Sequence, residues 1–152
     1  MTTYTKHMKA QDMMEVIQER KIKMTDRDFR RIYDTADAEG LAALNACVPV
    51  PMVVQEHANM LDDNSPAVKQ WIVPGGVCGF AWVNIKPGTN KFCNWLKTTG
   101  LAKRDEYNGG ITIWVHHGGQ SMQIKEAYAH AFARVIREAI PELRVYAMSR
   151  MD

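Results

Sequence analysis

Apolar residues in this chain repeat with the period of a helix in four stretches and with the period of a strand in most of the others. The clearest block runs from Ile111 to Arg150. Ile111–His116 alternates as a half-buried strand does, and His117-Gly118-Gly119-Gln120-Ser121 turns the chain. Ile124, Ala127, Tyr128, Ala131, Phe132, Val135, Ile136 and Ala139 then fall at the i, i+3, i+4, i+7 spacing of one buried helix face. Pro141 ends that helix, since proline has no N–H for the ladder and clashes with the turn before it. Leu143–Met148 alternates again and predicts a closing strand.

Earlier in the chain, Met13, Met14, Val16 and Ile17 predict a short amphipathic helix over Gln11–Lys21, behind a polar arm. Thr25 has the chemistry of an N-cap, with Asp26 and Asp28 in the first turn. Phe29, Ile32, Tyr33, Ala36, Gly40 and Leu44 carry a helix to about Ala46, with Gly40 a candidate break. Arg27, Arg30 and Arg31 cluster there, which suits either a DNA-reading helix pair or the solvated face of a lid over a sheet. Asp26, Asp28 and Asp34 dilute the cluster and favour the lid.

Pro49 and Pro51 close the helical part, and Met52–Val54 reads as a short strand. Asp62-Asp63-Asn64-Ser65-Pro66 is a loop by its turn chemistry. Trp71–Val73 and Cys78–Ile85 flank Pro74-Gly75-Gly76-Val77 and predict a hairpin. Thr89 or Asn90 can cap a helix holding Phe92, Trp95 and Leu96, closed by Gly100. Leu101–Tyr107 is charged enough for an edge strand, and Asn108-Gly109 predicts a type I′ turn into the Ile111 strand.

From Gly79 onward the order is strand, helix, strand, strand, helix, strand. That is the order of a ferredoxin-like, split-βαβ fold. The expected class is α+β: a mixed sheet over about residues 79–150, preceded by a helical segment. Residues 1–48 would form the arm and helices, and residues 49–152 the sheet, within one compact domain overall. Right-handed crossovers place Gly79–Ile85 between Ile111–His116 and Leu143–Met148. A strand flanked on both sides cannot also pair with Trp71–Val73 along its length, so the predicted hairpin and the predicted sheet compete.

Alternation also sorts the side chains by face. Ala81, Val83, Ile85, Ile111, Ile113, Val115, Leu143 and Val145 make an aliphatic face, the seat of the Ile124–Ala139 helix. The opposite face collects Phe80, Trp82, Trp114, Tyr146 and Met148. So much aromatic surface invites a cover. The N-terminal helices would make a three-layer α/β/α domain; a protein partner or second subunit, or stacked single-stranded nucleic acid, are the other occupants.

Composition narrows the class without naming an activity. The 152 residues are 46% hydrophobic and 24% charged, ordinary globular values. Nineteen basic and seventeen acidic residues give a formal charge of +2, too small to argue for nucleic acid by itself. No apolar run approaches the roughly 20 residues of a membrane span, and the first residues lack the apolar core of a signal peptide, so a cytoplasmic chain is expected. Cys47, Cys78 and Cys93 are an odd number with no close pair and read as reduced, small hydrophobes.

Candidate chemistry is sparse. His117, Gly118, Gly119, Gln120 and Ser121 deliver a strand into a helix, where backbone N–H groups can hold phosphate or carboxylate. The spacing is neither G-x-G-x-x-G nor a P-loop, and Ser121 as an N-cap explains it without a ligand. Adjacent His116 and His117 point to opposite faces of a strand, and Glu56, His57, Asp62 and Asp63 match no ligand motif, so no metal is assigned. No carboxylate is spaced to orient a His–Ser pair, so no catalytic residue and no cofactor is assigned.

Two segments resemble known patterns. Gly79-Phe80-Ala81-Trp82-Val83-Asn84-Ile85 resembles the RNP1 pattern of RNA-recognition motifs, but Cys78 stands where that pattern has Lys or Arg and Ile85 replaces its last aromatic. Lys125-Glu126-Ala127-Tyr128-Ala129, with the ending Met148-Ser149-Arg150-Met151-Asp152, is similar to small uncharacterised proteins of tailed bacteriophages. This covers about the last third of the chain and implies a phage source, hence synthesis in host cytoplasm with the virion as a further location. With no catalytic motif, the expectation is a non-enzymatic structural or assembly protein of the decoration, connector or tail-completion type, working through protein partners or self-association. The alternatives are a small-ligand or nucleotide-binding, transferase-like protein using the Gly118–Ser121 turn, and a single-strand binder using the aromatic face.

Overall fold

The computed structural model describes Asp12 and residues 23–152; the helix expected over Gln11–Lys21 therefore lies outside the described residues, apart from Asp12. Thr25 starts helix α1, Asp26–Ala46, with a full capping box: its side chain and that of Asp28 each take the other's backbone N–H. Strands β1 (Met52–His57) and β2 (Ala67–Val73) follow, then β3 (Gly79–Lys86), helix α2 (Lys91–Thr98), β4 (Lys103–Arg104), β5 (Ile111–Trp114), helix α3 (Met122–Ala139) and β6 (Arg144–Met151).

The main sheet runs β4-β5-β3-β6. That is the split-βαβ order, with β3 between β5 and β6 as the crossovers require. Every pairing in it is antiparallel, so the sheet is not mixed. Ala81, Val83, Ile85, Ile111 and Ile113 are buried on the helix side, against Phe92, Leu96, Phe132 and Ile136.

The predicted Trp71–Ile85 hairpin does not form. β2 instead pairs with β1, Val53 opposite Ile72 and Val54 opposite Trp71, as a separate two-stranded sheet. The competition is settled by burial: β3 covers its aliphatic face only by lying inside the main sheet, and Pro74-Gly75-Gly76 releases the chain from one sheet to the other. The Asn108-Gly109 turn is wider than expected. Asp105 and Gly110 close it, Gly109 and Gly110 have positive φ, and Asn108 does not, so it is no type I′ turn. Only Lys103–Arg104 of the expected Leu101–Tyr107 edge strand pairs.

The third layer lies on the side opposite to the one expected. Phe29 packs on Phe92 and Trp95, and Tyr33 on Phe132, which lays α1 across α2 and α3. The order of layers is sheet, helix pair, helix, and α1 does not cover the aromatic face. Helical geometry is continuous through Gly40, whose missing side chain admits the Tyr128 ring rather than breaking the helix. Arg30 lies 5.1 Å over the Trp95 ring, and Arg27 and Arg31 are exposed, as on the solvated face of a lid.

Candidate functional site

β3, β5 and β6 bring Phe80, Trp82, Trp114, Tyr146 and Met148 onto one sheet face, as alternation predicted. The register arranges that face in rows. Trp114, Trp82 and Met148 are direct cross-strand neighbours, and Lys103, Thr112, Asn84 and Tyr146 form the next row. Phe80 stands beside Arg150 at one end, and Lys86 beside Arg144 at the other. Four cations therefore share the face with the aromatics, and none of its strand residues is acidic.

The rings make a connected cluster. Trp82 and Trp114 have centroids 5.0 Å apart at 44°, and Phe80 meets Trp114 edge-on at 6.4 Å. Phe80 is flanked by the Arg150 guanidinium at 5.7 Å and the Lys125 ammonium at 5.2 Å. Lys125 is itself buried and donates to the Gly79 carbonyl at 3.2 Å. Trp114 and Tyr146 keep 41% and 48% of their surface exposed, so their outer ring faces are available.

A groove of about 690 Å³ opens on this face, lined by Trp82 and Trp114, by Lys103, Arg104 and Arg150, and by the Asp105–Asn108 loop. Asp105 anchors its rim. Its carboxylate accepts from Thr112 Oγ1 at 2.7 Å, Asn108 N at 2.8 Å, Tyr107 N at 3.0 Å, Asn84 Nδ2 at 3.2 Å and Asn108 Nδ2 at 3.2 Å. Burial raises the pKa of this carboxyl, but donation from Asn108, Thr112 and Tyr107 outweighs it and holds the group at about 2. Asn84 is wholly buried; its Nδ2 also donates to the Gly109 and Ile111 carbonyls, while its Oδ1 has no partner among the described residues.

The glycine turn is tied into the chain. Gly118 and Gly119 have positive φ. Ser121 caps α3 by accepting from Ile124 N at 3.4 Å and donates its hydroxyl to Gly75 O at 2.7 Å. Met122 N donates to Val77 O, and Gly79 N to Gln120 O. The turn is thus a seam joining the start of α3 to the Gly75–Gly79 segment, and His117 packs beside Tyr128. Among the described residues no three His, Cys, Asp or Glu side chains are grouped so as to hold a metal ion. Nor is any helix there long and apolar enough to cross a membrane.

Arg144 and Arg150 follow from the same alternation that gave Tyr146 and Met148, and Lys86 from that of Phe80; extending the period by one residue pair finds them. Lys103 and Asp105 carry no such signal, because a two-residue strand has no period and the Asp105 bonds are tertiary. No family model, no curated protein and no solved structure matches this chain.

Proposed function

We propose that this protein is a non-catalytic binding protein whose open sheet face takes single-stranded nucleic acid. One observation carries the reading: a face that no described helix or strand covers, on which the exposed rings of Trp114 and Tyr146 stand among cations and no carboxylate shares the strands. Unpaired bases offer flat apolar surfaces joined by an anionic backbone, which is the complement of such a face. The overall charge of +2 is no objection, because the strands of this face carry Lys86, Lys103, Arg144 and Arg150 and no acidic residue. Bases would lie on Trp114 and Tyr146, with phosphates against Lys86, Lys103, Arg144 and Arg150. A duplex hides its base faces, so single strands are preferred. The Asp105 carboxylate at the groove rim is already engaged by five donors, which weakens its repulsion of phosphate.

Fluorescence anisotropy with labelled oligonucleotides tests this. Binding at low salt is expected, with single strands ahead of duplex, and Trp114→Ala and Tyr146→Ala each weakening it by about 1–3 kcal/mol. No binding at low salt overturns the proposal.

A second reading is favoured by the separate β1–β2 sheet, which extends apolar side chains away from the core. Such an arm suits a bacteriophage structural or assembly component of the decoration, connector or tail-completion type. Purified virions probed with an antibody to this chain would contain it; absence from virions and from assembly intermediates removes this reading.

A further inference from the structure

A two-stranded sheet on its own is marginal in water and leaves both outer edges unpaired. Here β1 and β2 pair only with each other among the described residues, and they keep Val53, Val68, Trp71 and Ile72 exposed, Val68 at 64% and Ile72 at 62%. The other sheet guards its edges. β4 is two residues long, Lys103 and Arg104, and the Val145 carbonyl of β6 is bonded by Arg137 at 3.0 Å. Over Lys69–Val73 the edge of β2 carries one charge, Lys69, and among the described residues no bulge, since the one irregularity in the arm sits at Glu56/His57.

We infer that β2 is a homodimer interface, pairing antiparallel with β2 of a second copy about a two-fold axis at Gln70. The occupant is identified by self-complementarity. A two-fold axis normal to an antiparallel sheet passes midway between the two copies of one residue, which then face each other. With that residue Gln70, Lys69 falls opposite the second copy's Trp71, Val68 opposite its Ile72 and Ala67 opposite its Val73. Apolar side chains meet apolar ones, an ammonium meets an indole, and two amides meet on the axis. The ammonium–indole pair already exists within one chain, where Lys69 Nζ lies 5.3 Å from the Trp71 ring centre. The β1 edge has less of this property: an axis at Val54 sets Met52 against Glu56, one at Gln55 sets Val54 against Glu56, and one at Val53 matches only Met52 with Val54 before reaching Pro51. Pairing through β2 makes a four-stranded sheet β1-β2-β2-β1, which turns two marginal hairpins into one stable element. This interface is on a separate element from the aromatic face and does not depend on what that face binds.

The test is sedimentation equilibrium of the full chain at tens of micromolar, with disulfide trapping in a Cys47→Ser, Cys78→Ser background. A dimer is expected. Gln70→Cys should trap a covalent dimer under mild oxidation, while Gln55→Cys on β1 should not. Gln70→Glu places two carboxylates across the axis and should return the mass to that of a monomer, with the circular dichroism of the core unchanged. A monomeric parent, a dimer that Gln70→Cys fails to trap, or a dimer that survives Gln70→Glu each overturns the inference.

Discussion

Gly40 of α1 packs directly on the ring of Tyr128 in α3: a Cβ at that position would stand 2.7 Å from both Cδ2 and Cε2. The ring cannot swing aside freely, because it is buried and its hydroxyl donates to Asp37, also on α1. Burial, and then the Asp37 hydrogen bond, push the Tyr128 hydroxyl far above the ordinary tyrosine range, so it stays protonated and donating. Gly40→Ala thus sets two effects against each other. Helix propensity favours alanine by about 0.5–1 kcal/mol, and the clash costs about 1–3 kcal/mol. A net loss is expected, read as a lower urea midpoint at unchanged slope. Adding Tyr128→Leu should remove part of the Gly40→Ala penalty.

Asp105 gives a pH dependence of defined sign. Its folded pKa of about 2 lies below the unfolded value of about 3.9, so its ionised form favours the fold. That contribution is complete above about pH 4 and is lost as pH falls toward 2. Acid titration followed by circular dichroism should show Asp105→Asn to be less stable at neutral pH. The gap from the parent should narrow between about pH 4 and pH 2.

Asn84→Leu withdraws the donor shared among Asp105, Gly109 and Ile111. The expected cost is about 1–3 kcal/mol. It is smaller than three separate bonds suggest, because the unpartnered Oδ1 is removed as well. Hydrogen exchange should locate the loosening in the Asp105–Gly110 loop.

Lys103→Ala and Arg150→Ala should each weaken oligonucleotide binding and lower the slope of log affinity against log salt by about 0.7. Lys23→Ala, on an exposed residue ahead of α1, should leave the slope unchanged. Equal slopes in all three variants would detach the cations of the face from binding.

Excising Gln55–Gln70 and closing the shortened arm with a tight turn should leave the core within about 0.5 kcal/mol of the parent, since β1 and β2 pack chiefly on each other. A larger loss in chemical denaturation would mean that the arm supports the main sheet.

The sheet order, the face of each strand residue and the caps at Thr25, Asn90 and Ser121 were legible because local rules fix them: two-residue alternation, crossover handedness and a side-chain oxygen reaching a backbone N–H. The side taken by α1 was not. Its stripe of Phe29, Tyr33 and Ala36 specifies that it must be covered, and the aromatic sheet face and the outer surfaces of α2 and α3 both offered apolar partners. Gly40 decided between them by shape, and a glycine in a helical pattern signals a close approach without naming what approaches. The arm was misread for a related reason. Trp71–Val73 has strand composition, and composition does not tell which of two neighbouring strands it joins.

The loop held by Asp105 has a practical consequence. Its backbone is pinned by one carboxylate, yet Tyr107 at its crest is 99% exposed. A fully accessible phenol on an ordered rim is a natural probe position, where nitration or iodination would proceed on the folded chain. Molecules settling against Trp114 would shade that ring, so the rate of labelling at Tyr107 can report occupancy of the groove with every wild-type residue in place.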